Sequence, residues 1–181
     1  MLPRFGMQMI LRSDFNTLAW YGRGPHENYW DRNAGAAVGL YSGSVTSQFV
    51  PYVRPQENGY KTDVRWAALT DDRGRGLLVV GMPLFEVSVH HCTARDLALA
   101  EHTHQLPRRD DIRLNLDLAQ SGLGSESCRP GVPPHYLLDE EAYRYRLRLR
   151  PLRGPEESSA ELSRQVLESA FSSTKTQEEF E

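Results

Sequence analysis

The chain has 181 residues, a length that suits one domain, and 39% of them are hydrophobic. Its 21 basic and 24 acidic side chains leave a formal net charge of -3, which gives neither the footprint of a nucleic-acid partner nor a polybasic membrane patch. No apolar run approaches the ~20 residues that cross a bilayer, the opening MLPRFGMQMILRSDF lacks the apolar core and cleavage site of a signal peptide, and two cysteines, Cys92 and Cys128, are too few for a disulfide framework; a reducing compartment, the cytoplasm, is the expected location.

In chain order, Leu2 to Leu11 mixes apolar and polar positions, with alternation clearest at Met7, Met9 and Leu11. Thr17 to Tyr21 is short and aromatic, bounded by Gly22 and Gly24. Ala36 to Tyr41 and Ser44 to Val53 read as two strands, with Ser42-Gly43 as a hairpin turn between them. Lys61 to Leu69 alternates through Val64, Trp66 and Ala68. Asp71-Asp72-Arg73-Gly74 is a turn, followed by an apolar run at Gly76 to Gly81. Phe85 to His91 alternates strictly, placing Phe85, Val87, Val89 and His91 on one face and Glu86, Ser88 and His90 on the other. The stretch Thr93 to His102 suits a short helix. Ile112 to Leu118 alternates again, and so does Tyr143 to Leu149, with Arg144, Arg146, Arg148 and Arg150 on one face. Such a row of arginines cannot sit unpaired in a dry core, so that face meets water or a partner. Short strands and turns at even spacing predict an all-β, antiparallel β-sandwich. From Gly154 the pattern changes; Ser159 to Phe171 has helical spacing at Leu162, Val166, Leu167 and Ala170, and the polar end SSTKTQEEFE has no core-forming pattern. The expected division is a sandwich domain over 1–152 and an appended tail over 153–181, partly helical or disordered.

Three stretches concentrate chemistry. Trp20-Tyr21-Gly22-Arg23-Gly24-Pro25-His26-Glu27-Asn28-Tyr29-Trp30-Asp31-Arg32 crowds aromatics, charges and an amide around a tight turn. Sugar sites use such groups, because rings stack on C–H faces while carboxylate, amide and guanidinium groups bind hydroxyls. A corner loop with buried aromatics and an Asp31–Arg32 ion pair explains the same residues. In Pro51-Tyr52-Val53-Arg54-Pro55-Gln56-Glu57-Asn58-Gly59, the side chains of Arg54, Glu57 and Asn58 either converge on a ligand or serve the loop itself, with Glu57 capping amides or pairing with Arg54. Gly122 to Pro130 is a loop after a strand, either a binding contact or a solvated connection.

In this order, LPRFGM, WYGRGPHENYWDR, PYVRPQENG with the following KTDVRWAAL, and GLGSESCRP closely resemble the C-terminal domain of the large glycoside hydrolase β-galactosidases. The resemblance covers roughly residues 2–152. It implies a galactose-mutarotase-like supersandwich, the last of five domains, present here only in its second part. It also implies that the catalytic glutamates lie in a central barrel outside this chain, together with magnesium and possibly sodium. The chain itself then supplies no catalytic carboxylate and holds no cofactor. Barrel enzymes of this kind work by retaining double displacement, with two carboxyls about 5–5.5 Å apart. Expected partners are the remainder of the β-galactosidase, a β-galactoside sugar such as lactose, and further copies of the full enzyme in a homo-oligomer.

One loop of the family domain reaches the sugar with a tryptophan. Ser127-Cys128-Arg129-Pro130 falls on that pattern with Cys128 at the tryptophan position, and a thiol offers far less area to a hexose than an indole. The substrate-binding candidates are therefore Ser127, Cys128, Arg54, Glu57, Asn58 and His90. An independent sugar-binding or mutarotase-like module is the competing reading, with His90 and Glu57 as acid and base; an inactive orphan fragment is the third. His90 and His91, adjacent on a strand, point to opposite faces and make a poor metal pair. His102 and His104 lack further ligands in the pattern, so no metal site is expected.

Overall fold

In a computed structural model the structure describes residues 1–123 and 131–166. Seven strands hydrogen-bond into one antiparallel sheet: β1 (Arg4–Arg12), β2 (Thr17–Gly24), β3 (Ala37–Ser44), β4 (Lys61–Thr70), β5 (Arg75–His90), β6 (Asp111–Gln120) and β7 (Leu147–Arg153). The order is β1-β6-β5-β4-β2-β3, with β7 also on β5. The all-β antiparallel expectation stands, and the architecture is that of an all-β sandwich.

The 16-residue β5 organises the sheet. Its first half, Arg75 to Gly81, pairs with β7, and its second half, Glu86 to His90, pairs with β6, while β4 runs along both. The two apolar runs flanking Met82-Pro83-Leu84 are thus one strand with an irregularity. Opposite it, register slips between Lys61 and Val64 and again between Val64 and Trp66. A slip of one residue exchanges the faces of a strand. Val64, Ala67 and Leu69 consequently face one core while Trp66 and Ala68 face the other.

The main core joins Leu18, Trp20, Phe85, Val87, Val89, Ile112, Leu114 and Leu116, the apolar positions of the alternating runs. A smaller cluster on the other face joins Trp66, Ala68, Leu78, Val80 and Leu152. It is capped by Leu162 of the short helix α2 (Ser159–Ser163), which follows an N-cap in which Ser158 accepts from the Glu161 amide. The preceding helix, α1 (Ala94–Leu99), starts from a capping box made by Thr93 and Asp96. Asp96 also takes both forks of Arg109, and that ion pair holds its carboxyl below the usual carboxylate range.

Three expectations need correction. Ser42-Gly43 lies inside β3 rather than in a turn, and Ser44 to Val53 is not a partner strand: it holds the end of β3, a 3₁₀ turn at Thr46–Gln48, and loop. The partner of β3 is the preceding strand β2, whose other edge pairs with β4. The last strand begins at Leu147, not Tyr143, since the Tyr143 and Tyr145 rings pack on Phe5 at 5.2 and 5.9 Å. In the arginine row, Arg144 and Arg146 are exposed, as expected of a face that meets water or a partner, and half-buried Arg148 finds its partner in α2. Arg148 donates to the carbonyls of Leu162 and Ser163 at 2.6 and 3.1 Å and to that of Gln165, satisfying the open end of α2. The helix expected over Ser159 to Phe171 ends already at Ser163, with Arg164 as its C-cap and Val166 exposed; the rest of that expectation, beyond Val166, lies outside the described residues.

Candidate functional site

The face of β5 and β6 opposite the main core carries Glu86, Ser88, His90, Asn115 and Asp117, all buried. Strand alternation puts them there, because their neighbours Val87, Val89, Leu114 and Leu116 are committed to the apolar side. Two loops cover this polar face: residues 25–33 after β2 and residues 49–60 before β4.

Glu27 clasps the two loops. One carboxylate oxygen accepts the Gly59 amide at 2.7 Å, and the other accepts the Tyr52 hydroxyl and an Arg32 donor at 3.0 Å. Gly59 has φ of 73°, and a Cβ there would stand 2.5 Å from the Gln48 carbonyl oxygen and 2.8 Å from the His90 ring. Only glycine closes the loop so tightly. Asn28 is fully buried and sews the same seam. Its oxygen accepts from the Thr62 amide and hydroxyl at 3.0 and 2.6 Å, and its nitrogen donates to the His26 carbonyl. The Tyr29 and Tyr60 rings stack at 5.4 Å, and the Arg32 guanidinium lies 4.6 Å over Tyr29.

Beneath the loops, the Tyr60 hydroxyl donates to Asp117 at 2.9 Å. Asp117 pairs with Arg4 at 3.0 Å, and Arg4 reaches Gln120 at 3.2 Å and Glu57 at 3.4 Å. Burial raises the carboxyls of Glu57 and Asp117, and Arg4 opposes that rise in both. Among the described residues no cation pairs with Glu86. Burial, reinforced by Asp117, pushes it up to about 8 against the Tyr60 and Gln120 hydrogen bonds, so it is largely protonated at neutral pH. Burial lowers Lys61 to about 8; its ammonium donates to the Gly59 carbonyl at 3.0 Å and lies 5.2 Å over the Trp20 ring. Burial likewise lowers His90 to about 4. Its Nε2 sits 2.8 Å from the Asn58 carbonyl, which assigns the proton to Nε2 and leaves Nδ1 a buried lone pair without a partner among the described residues.

Of the sequence-derived candidates, Glu57, Asn58 and His90 come together around this layer. The Asn58 side chain is occupied by its own loop, accepting from the Val50 amide and donating to the Gln56 carbonyl. Glu57 pairs with Arg4 rather than Arg54, and Arg54 is exposed, with no hydrogen bond or ion pair among the described residues. Arg32 pairs with Glu27 rather than Asp31. Ser127 and Cys128 lie outside the described residues. The loop that carries them leaves β6 at a fixed point: the Ser121 amide donates to the Pro3 carbonyl, and the Gly122 amide to the Tyr136 carbonyl at 2.8 Å. His102 and His104 stack at 5.6 Å, and among the described residues no group of three His, Cys, Asp or Glu could hold a metal ion. No helix of the described residues is long and apolar enough to cross a membrane.

Sequence reasoning missed Arg4, Glu27, Tyr60, Glu86 and Asp117. The signal available was the placement of Glu86 and Asp117 on alternating strands, which reads equally well as a solvated face. Chemically, the layer is closed upon itself: its carboxyls meet cations, hydroxyls and amides of the same chain, an arrangement that fixes two loops more than it offers groups to a ligand.

These features define an antiparallel all-β domain of sandwich type with an internally hydrogen-bonded polar layer. Residues 1–149 match the family model of the β-galactosidase small chain, and the chain belongs to that family. It is 42% identical over 153 residues to the β-galactosidase of Priestia megaterium (strain DSM 319 / IMG 1521), covering 83% of this chain and 15% of that protein. It is 39% identical over 155 residues to that of Arthrobacter sp. (strain B7), covering 82% and 15%. Against that of Vibrio cholerae serotype O1 the identity is 38% over 150 residues, covering 82% and 14%. The chain thus spans about 15% of the length of these curated relatives.

Proposed function

We propose that this chain is the non-catalytic sandwich part of a β-galactosidase that hydrolyses terminal β-D-galactosides such as lactose in the cytoplasm. It supports a catalytic barrel supplied by the remainder of the enzyme and edges the substrate pocket with the loop that carries Ser127 and Cys128. The carrying observation is the match of residues 1–149 to the small-chain family, within proteins whose remaining length lies elsewhere. The internal engagement of Glu27, Glu57 and Asp117 supports it, since none of these carboxylates is free to attack or protonate a glycoside. Magnesium and sodium, on this reading, belong with the barrel, and the full enzyme is a homo-oligomer.

A self-sufficient mutarotase-like module would need His90 and Glu57 over an open cleft. Burial of His90 to 4% exposure counts against that arrangement. The test is hydrolysis of a chromogenic β-galactoside by the purified chain, alone and mixed with the polypeptide that carries the barrel. Turnover only in the mixture is expected. Turnover by the chain alone overturns the proposal, and none in the mixture, from a folded chain, turns it toward an independent binding module.

A further inference from the structure

A groove of about 420 Å³ runs between α2 and the outer face of β2, β3, β4 and β5. Tyr21, Leu40 and Trp66 form its floor and Pro83 part of its wall. Leu40 is 67% exposed and Tyr21 41%, and the nearby Val38 and Met82 are also open. Residues this apolar on one sheet face mark a docking surface when nothing covers them. The groove is also cationic. Arg65 lies over the Tyr21 ring at 5.6 Å and donates only to the Asp63 carbonyl, and Arg164 is exposed; neither has an ion pair among the described residues. The fitting occupant is therefore an apolar segment bearing carboxylates.

We propose that this occupant is the chain's own C-terminal segment, residues 167–181. Three facts select it over other occupants. Position is the first: Arg164 lines the groove, and the segment begins three residues later. The second is composition. Leu167, Ala170 and Phe171 supply apolar side chains at three- and four-residue spacing, and Glu168, Glu178, Glu179 and Glu181 outweigh the single Lys175. Third, cover from the same end of the chain has already begun: Leu162 is buried against Leu78, Val80 and Leu152 beside the groove. The proposal stands independently of the galactosidase reading.

The experiment compares backbone amide spectra of the isotope-labelled full chain with those of the chain ending at Val166. The amides of Leu40, Arg65 and Gly81 are expected to shift on truncation. A synthetic peptide of residues 165–181, added in trans, should return them saturably, and Phe171→Ser in that peptide should weaken binding at least about tenfold. Should the shortened chain fail to fold, full-length Phe171→Ser and Arg164→Glu variants must each move the same amides. Groove amides unmoved by every one of these changes overturn the proposal. So do amides that respond instead to protein concentration, which assigns the groove to a second copy, or only to the barrel-bearing polypeptide, which assigns it to the rest of the enzyme.

Discussion

Two halves of one sheet face solve the same burial problem differently. Behind β6 and the second half of β5, the face opposite the main core is polar, and most of its groups pair with one another beneath two loops. Behind the first half of β5, with β4 and β7, the face is apolar and thinly covered by one short helix. Buried polar layers demand complete pairing, because each unmet group costs its desolvation. Such a layer fixes loop positions by geometry. An apolar face demands only cover, and accepts it from whatever segment is near. The first arrangement gives specificity and the second gives adaptability.

The comparison can be broken with four substitutions, read by urea unfolding of the full chain. Phe85→Ala removes a ring from the core shared by both halves and is expected to cost about 4 kcal/mol; a loss below about 1.5 would mean that the core can collapse around it. Asn28→Ala strands the Thr62 amide and the His26 carbonyl, with an expected cost of about 3 kcal/mol. If that change is nearly neutral, the loops are held by something other than the polar layer.

The third prediction is a pH dependence. Glu86 has a folded value of about 8, above its ordinary 4.5, so the folded state holds a proton that the unfolded state releases. That contribution is complete below about 4.5 and is lost as pH rises toward 8. His90 and Lys61 are both lowered and act with the opposite sign, His90 below about 6.5 and Lys61 above about 8. Between pH 6.5 and 8 the Glu86 contribution outweighs the partial opposing ones of Lys61 and His90, and stability should fall by about 1 kcal/mol. Glu86→Gln should flatten that interval; an unchanged slope would assign the titration elsewhere. The smallest effect is expected from Leu162→Ala, about 1–2 kcal/mol, because the site is at the margin of the second cluster and can relax. A cost equal to that of Phe85→Ala would erase the difference between the two halves.

Much of the fold was legible locally. Phe85 to His90 and Ile112 to Leu118 announce their strands because period-two alternation is imposed by the backbone itself. Thr93 with Asp96 announces a helix start for the same local reason. The Ser42-Gly43 hairpin was misplaced because turn residues are also tolerated inside strands, and the choice depends on β2 lying alongside. At the candidate site, Glu57, Asn58 and His90 were visible as unusual residues. Their roles were not, since a buried carboxylate and a solvated one look alike until the covering loop is in place. Arg4 and Asp117 meet across 113 positions of sequence, and no local pattern links them.

By itself, then, the sequence determined the strand periodicity, the antiparallel all-β class, and the loops whose residues carry the resemblance to β-galactosidases. All of these are short-range or motif-level properties. Only the tertiary structure decided that β5 is one strand serving two partners, that the Glu86–Asp117 face is interior rather than solvated, and that Glu27 closes the loops over it. Those outcomes depend on which distant segments come to share a dielectric environment, and burial is a property of the assembled chain, not of any residue within it.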